Sequence, residues 1–195
     1  GARRHRRHQR QATEERMSGL IVIDLLYLLL PAALANMAPV IAKRLGMLAF
    51  LDHPIDGGLK IHGKPFLGAH KTWRGLVSGI VGGIIVTGIQ ALVGPTRFDL
   101  VVYADVWLPL GAMLGAGALI GDALKSFFKR RVGIPEGSPW VPYDQIDFGI
   151  GAIVFALPFV QLGWPLSFTA VAAFALGHVL IVRIGYLIGW RKERW

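Results

Sequence analysis

Apolar runs of roughly bilayer length constrain this chain more than any other feature. Each run contains at most one Asp, Glu, Lys or Arg, and together they cover residues 20–40, 75–95, 106–121, 148–164 and 166–190. A helix needs about 20 residues to cross the hydrocarbon core, and backbone groups in lipid must be hydrogen-bonded within their own segment. The sequence therefore predicts an all-α integral membrane protein with about five transmembrane helices. The uncharged stretches of the third to fifth runs, residues 106–121, 148–164 and 166–182, are short enough that one of them could be re-entrant.

Composition excludes the other classes of chain. Hydrophobic residues make up 53% of the sequence and charged residues only 17%, whereas about a quarter of an average soluble sequence is charged. The apolar content also excludes global disorder. The absence of cysteine excludes disulfides and zinc–thiolate sites.

Lysine and arginine are concentrated in alternate connections between the runs. The first connection carries six of them and the third carries four, whereas the second carries only Arg97 and the fourth none. Short loops rich in Lys and Arg remain cytoplasmic. We therefore expect two long cytoplasmic loops, the first and the third, with the N-terminus outside and the C-terminus inside.

Residues 1–16 do not fit this orientation, because they carry six arginines and two histidines. We interpret them as an N-terminal basic extension, either an artefact or disordered, and residues 17–195 as a single transmembrane domain. A nucleic-acid-binding arm is the alternative. It is disfavoured by the lack of aromatic residues among the arginines, so no nucleic-acid partner is expected.

The first cytoplasmic loop combines turn-forming glycines with cations that lead into the second run. Lys64 lies in a predicted tight turn, and a polar cluster precedes the helix: His70, Lys71, Thr72 and Arg74. Backbone N–H groups at a helix start, a hydroxyl and cationic side chains together suit a polyphosphate. The spacing is not that of a Walker A loop. The alternative is a basic loop that contacts anionic lipid headgroups.

The third run continues into a polar stripe. At helical offsets of 0, 3, 4, 7 and 8, one face carries Asp122, Lys125, Ser126, Lys129 and Arg130. Asp144 and Asp147 are three residues apart and share a face at the start of the fourth run. Three carboxylates at two span ends favour a Mg²⁺ site formed by Asp122, Asp144 and Asp147. The alternative is internal pairing of Asp122 with Lys125, and of the Asp144 and Asp147 pair with Lys129 or Arg130.

Asn36 lies inside the first run, between Pro31 and Pro39. An amide flanked by prolines predicts a broken or kinked helix. Asn36 would either offer its amide to a ligand or cap the freed backbone.

Four segments together resemble one family. They are residues 36–39, 68–75, 121–130 and 142–147. The chain is similar to the archaeal CDP-archaeol synthases, relatives of the CDP-diacylglycerol synthases. Bacterial and eukaryotic relatives carry a His-Gly-Gly stretch and then Asp-Arg-hydrophobic-Asp. Here the glycine pair is missing and Gln145 replaces the arginine, which favours the archaeal branch.

The resemblance implies a CTP-dependent nucleotidyltransferase of phospholipid biosynthesis. The reaction would transfer CMP from CTP to 2,3-bis-O-geranylgeranylglycerol 1-phosphate, a lipid phosphate in the cell membrane, and release pyrophosphate. The reaction would require Mg²⁺, and the active site would face the cytoplasm. A CDP-alcohol phosphotransferase or an anion transporter is the alternative. The chain lacks the longer aspartate pattern of the former and the repeated halves of the latter.

On this hypothesis the polar residues divide by role. The catalytic set is Asp122, Lys125, Lys129, Asp144 and Asp147, in which the three aspartates hold Mg²⁺. The substrate-binding set is Asn36, Lys64, His70, Lys71, Thr72, Arg74, Ser126, Arg130, Pro142 and Gln145. Lys125, Lys129 and Arg130 would steady phosphates, while residues 70–74 would clamp CTP from the other loop. The oligomeric state is not predicted.

Overall fold

The computed structural model describes the backbone of residues 2–94, 100–136, 138–160 and 162–187. Within these ranges, side chains are described from residue 19 onward, except those of residues 181, 182, 184, 185 and 187. Within these ranges the fold is mainly helical, as predicted. Its α-helices are α1 (Ala2–Arg44), α2 (Trp73–Val93), α3 (Tyr103–Arg131), α4 (Tyr143–Ala156) and α5 (Trp164–Leu187).

Each predicted run overlaps one α-helix, although α1, α3 and α4 begin or end several residues away from their runs. Among the described residues, three segments are long and apolar enough to cross a membrane: Gly19–Arg44, Trp73–Val93 and Tyr103–Arg131. A shorter apolar stretch covers Trp164–Leu180. α4 ends at Ala156 although its apolar run continues, because Pro158 cannot extend the helix. Its 14 residues span only about 21 Å, less than a bilayer core.

Some of the predictions concern residues whose structure is not described. The backbone of the predicted extension is part of α1, but the side chains of residues 1–18 lie outside the described set, as do Arg97 and the basic residues 191–194. α1 itself runs through Pro31 and Pro39 as one helix. The helix is therefore not broken at Asn36, and a kink there stays a prediction.

α3 lies between α2 and α4 and touches the backbone of both. A Cβ on Gly115 would lie 2.8 Å from the carbonyl oxygen of Gly79 in α2, and one on Gly111 would lie 2.8 Å from that of Gly83. On the other side, a Cβ on Gly121 would overlap the carbonyl oxygen of Asp147. Small residues allow this close approach. As a result, the first turn of α4 lies directly against the polar end of α3.

The loop between α1 and α2 forms a small hairpin, β1 (Lys60–Ile61) paired with β2 (Lys64–Pro65). His62 and Gly63 make the turn with φ angles of 50° and 76°. Farther along, the Thr72 hydroxyl caps α2 by accepting a hydrogen bond from the Gly75 N–H at 3.2 Å. The loop thus delivers residues 68–72 to the start of α2, beside α3.

Candidate active site

The Lys125 ammonium group lies at the centre of the three predicted carboxylates. Its Nζ is 3.2 Å from Asp122 Oδ1, 2.9 Å from Asp144 Oδ1 and 2.7 Å from Asp147 Oδ2. The continuous α3 puts Asp122 and Lys125 on one face, and the contact between Gly121 and Asp147 brings α4 within reach. The structure therefore brings the three predicted carboxylates together around Lys125.

Two more lysines complete the cluster. Lys71, from the first loop, forms an ion pair with Asp122 Oδ2. Lys129 lies 3.4 Å from Asp144 Oδ1 and also donates to the Ser138 carbonyl. Each of these ammonium groups is largely withdrawn from solvent. The first and third connections therefore meet through side chains.

The two carboxyls of α4 differ in their environment. Burial favours a raised pKa at Asp144, but hydrogen bonds from Lys125 and from the Trp140 N–H outweigh it and hold the pKa of this carboxyl below its usual value. Burial raises the pKa of the Asp147 carboxyl, and the nearby charge of Asp122 adds to that effect despite the opposing Lys125. The side chain of Asp147 is only 6% exposed.

The carboxylates provide the oxygen donors that Mg²⁺ prefers, but they surround an ammonium group. Within the described part of the chain, no three His, Cys, Asp or Glu side chains lie ready to hold a metal ion. Of the internal ion pairs considered as the alternative, Asp122–Lys125 and Asp144–Lys129 are present, whereas Asp147 pairs with Lys125 and not with Lys129 or Arg130. Asp147 Oδ1 is nonetheless buried without a hydrogen-bond partner. The donor set therefore fits Mg²⁺ chemically, in competition with Lys125.

A polar cavity of about 180 Å³ lies beside the cluster. The residues that line it are mostly cationic or small: Leu67, Gly68, His70, Lys71, Asp122, Lys125, Ser126, Lys129, Arg130 and Glu136. Arg130 also donates to the Pro135 carbonyl at 3.2 Å. Such a surface can bind several phosphate groups.

A second, apolar cavity of about 550 Å³ lies between α1, α2, α3 and the first loop. Most of its lining is aliphatic or aromatic: Asn36, Pro39, Val40, Ile55, Phe66, Leu67, His70, Lys71, Thr72, Gly75, Leu76, Leu119, Ile120, Asp122, Ala123, Leu124 and Phe127. The two cavities share Leu67, His70, Lys71 and Asp122. The Lys71–Asp122 ion pair therefore forms part of the wall common to both.

Not every predicted residue reaches these cavities. Arg74 is buried and binds Asp52 Oδ1 at 2.8 Å, and it lines neither cavity. Lys64 donates to the Arg131 carbonyl at 3.1 Å and lines neither cavity. Thr72 lines the apolar cavity while it caps α2, and Asn36 lines the same cavity.

Gln145 and Pro142 lie at the start of α4. The side chain of Gln145 is buried, and its Oε1 has no hydrogen-bond partner. Pro142 is exposed, and its carbonyl accepts the Gln145 N–H at 3.0 Å. Neither lines the polar or the apolar cavity.

Two residues that the sequence analysis missed connect the loops. The Arg131 guanidinium donates to the carbonyls of Ile61 (3.1 Å) and Pro65 (2.6 Å), and it lies over the Phe127 ring at 5.0 Å. It thereby fastens the hairpin to the end of α3. Glu136 lines the polar cavity and contacts residues 69 and 70. No spacing signal identified either residue, because their partners are 66 to 70 positions away.

Comparisons with known proteins agree with one another. A family model described as CarS-like, CDP-archaeol synthase, matches residues 17–195. A CDP-archaeol synthase of Thermococcus onnurineus is 36% identical over 170 residues, covering 86% of this chain and 93% of the relative. One from Methanosarcina barkeri is 38% identical over 158 residues, covering 73% and 90%.

A solved structure is also similar. It is described as an intramembrane enzyme for archaeal membrane lipids biosynthesis, with a TM-score of 0.68 and 30% identity, covering 82% of this chain and 93% of that one. The family model extends over the helices and both loops that build the two cavities. The chain therefore belongs to the CDP-archaeol synthase family and is a membrane-embedded enzyme.

Proposed function

We propose that this enzyme transfers CMP from CTP to an unsaturated archaeal ether-lipid phosphate, 2,3-bis-O-geranylgeranylglycerol 1-phosphate, and releases pyrophosphate. The observation that carries the proposal is the common wall of the two cavities. A cationic cavity and an apolar cavity meet at Lys71 and Asp122. A reaction between a polyphosphate and a lipid phosphate needs this arrangement, because the two reacting phosphates must meet at one place.

The polar cavity suits the triphosphate of CTP. Lys125, Lys129 and Arg130 lie on the α3 face that lines it, and Lys71 joins them from the first loop. Each ammonium already has a carboxylate partner, so the cations are held in place before substrate binds. Fixed cations of this kind stabilise charge without reorganisation during the reaction.

The apolar cavity suits the lipid near its headgroup. Leu76, Leu119 and Phe127 provide apolar surface, and Asn36 provides an amide within it. Val40 and Leu124 also line the cavity and are more than half exposed on the outside of the helices. A lipid chain would therefore enter from the bilayer between α1 and α3.

The chemistry requires charge neutralisation more than proton transfer. An oxygen of the lipid phosphate attacks the α-phosphorus of CTP and forms a new P–O bond. The bond from the α-phosphorus to the bridging oxygen then breaks, and pyrophosphate leaves with its electron pair. The attacking phosphate is ionised at pH 7, so no dedicated general base is required. Lys71 and the α3 cations offset the repulsion between the two anions.

Asp122, Asp144 and Asp147 are the residues that would hold Mg²⁺, in competition with the Lys125 ammonium. The bound ion would supply further neutralisation of the triphosphate. The unpartnered Asp147 Oδ1 supports this assignment. Under this proposal Ser126 and His70 contact substrate from the polar cavity, while Gln145, Pro142, Lys64 and Arg74 act from outside it.

We extend the proposal to the membrane. The richness of the first and third connections in Lys and Arg supports a cytoplasmic site and an external N-terminus in the cell membrane. On this basis residues 17–195 form one catalytic domain with about five spans.

The test uses purified protein in detergent. We expect CTP to bind saturably and more tightly than ATP or GTP, and pyrophosphate to be released only when CTP and the lipid phosphate are both present. Release of CMP from a CDP-lipid instead would indicate a CDP-alcohol phosphotransferase. The absence of CTP binding would contradict the proposal.

A further inference from the structure

Glu136 stands out within the polar cavity. Among the described residues that line this cavity, only Glu136 and Asp122 are acidic, and Asp122 is paired with Lys71 and Lys125. Glu136 instead lies on the loop between α3 and α4, at the side of the cavity formed by the first loop. A carboxylate there opposes the binding of any phosphate.

The contacts of Glu136 are those of a bound anion. The Ala69 N–H donates to its Oε1 at 3.3 Å, and His70 Nε2 lies 3.4 Å from its Oε2. Gly68, with φ of +108°, leaves room for the Glu136 carboxylate, because a Cβ at this position would overlap Oε1. A backbone N–H, an imidazole and an open glycine face together form an anion-binding concavity.

The position of residues 68–70 beside the polar cavity also indicates an anion-binding role. The concavity opens into the cavity that Lys71, Lys125 and Lys129 also line. The Ala69 N–H and His70 thus add a second group of donors across from the α3 cations. Glu136 is 34% exposed and His70 is 76% exposed, so their contact adds little to the stability of the fold.

We infer that residues 68–70 form a phosphate subsite, and that Glu136 occupies it until a substrate phosphate displaces the carboxylate. This inference rests on the proposed function for the identity of the substrate. Glu136 is accordingly an internal competitor that lowers the affinity of the empty enzyme for phosphate. The ligand class is a phosphate group, from the nucleotide or from the lipid headgroup.

The test measures binding of inorganic pyrophosphate to the full-length protein in detergent by titration calorimetry. We expect E136Q and E136A to bind pyrophosphate about threefold to tenfold more tightly than the unmodified protein, with E136A at least as tight as E136Q. Asp105→Asn is the matched control, since it removes one exposed negative charge at the other end of α3. Unchanged or weaker binding in both Glu136 variants would overturn the inference.

A second variant locates the subsite. His70→Gln should weaken pyrophosphate binding in the E136Q background, because it removes a donor from the concavity. Tighter binding in E136Q that His70→Gln does not reduce would overturn the assignment to residues 68–70.

Separate titrations identify the source of the phosphate. Tighter binding of CTP in E136Q assigns the subsite to the nucleotide, and tighter binding of a short-chain lipid phosphate in micelles assigns it to the acceptor. If pyrophosphate binds more tightly to E136Q but CTP fails to bind any form, the subsite stands and the proposed nucleotide substrate is wrong.

Discussion

The two cavities are adjacent but built on different principles. The polar cavity of about 180 Å³ is lined by cations that ion pairs hold in place, whereas the apolar cavity of about 550 Å³ has polar groups mainly where it meets the first. Among the residues that line the two cavities, charged side chains therefore lie only at the C-terminal end of α3 and on the two loops beside it. The Lys71–Asp122 ion pair, together with Leu67 and His70, forms the wall between the cationic surface and the apolar surface.

The largest effect is expected from breaking the common wall. In Asp122→Asn the carboxylate that pairs with both Lys71 and Lys125 is lost, so both cavities lose a fixed boundary. We expect kcat/KM for CTP-dependent pyrophosphate release to fall about 10³-fold. Asp105→Asn serves as the control, and near-normal turnover in Asp122→Asn would show that the wall is not the reaction centre.

The next largest effect concerns the attachment of the hairpin. Arg131→Ala removes the hydrogen bonds to Ile61 and Pro65, so Lys71 is less firmly placed against α3. We expect kcat/KM to fall about tenfold to a hundredfold, since small misplacements of reacting groups are costly. Arg131→Lys should recover part of the loss, because lysine can still donate to one carbonyl.

A distance measurement separates positioning by Arg131 from a general loss of stability. The chain has no cysteine, so spin labels react only with cysteines that are introduced. The double substitution Lys60→Cys and Leu108→Cys places one label on the hairpin and one on α3. We expect a narrow distance distribution in the parent and a broad one in Arg131→Ala. An unchanged distribution would refute the positioning role.

A change within the apolar cavity should affect one substrate only. Leu76→Trp adds bulk to its lining, and we expect KM for the lipid phosphate to rise about tenfold with KM for CTP nearly unchanged. Leu92→Trp makes the same change on the same helix at an 88% exposed position outside both cavities. Equal effects on both substrates would contradict the separation of the cavities.

The smallest effect is expected at Asn36. Asn36→Ala removes the amide from the apolar cavity, and we expect KM for the lipid phosphate to rise about threefold, the equivalent of one modest hydrogen bond. Steady-state kinetics with each substrate varied in turn measures this. A rise in KM for CTP instead would assign Asn36 to the nucleotide.

Helical periodicity made the polar face of α3 predictable. Asp122, Lys125 and Lys129 lie on one face because the helix continues to Arg131 without interruption. The position of Asp144 and Asp147 at a span start predicts that they meet this face, but their common contact with Lys125 is not part of that prediction. These features depend on local spacing, which a sequence displays directly.

Features that depend on distant backbone atoms were not predictable in this way. By helical offset Arg131 lies on the face of α3 opposite the polar stripe. Its partners are carbonyls of the first loop, which carry no side-chain signal. Arg74 is predicted among the phosphate ligands, but in the structure its guanidinium pairs with Asp52. The short α4 follows from Pro158, whose effect an uninterrupted apolar run concealed.

The lysine enclosed by Asp122, Asp144 and Asp147 has a consequence for the resting enzyme. Without a cation among them, three neighbouring carboxylates would repel one another and loosen the junction of α3 with α4. Because Lys125 is a permanent counter-ion within the chain, we expect the purified protein to tolerate a chelator such as EDTA without unfolding.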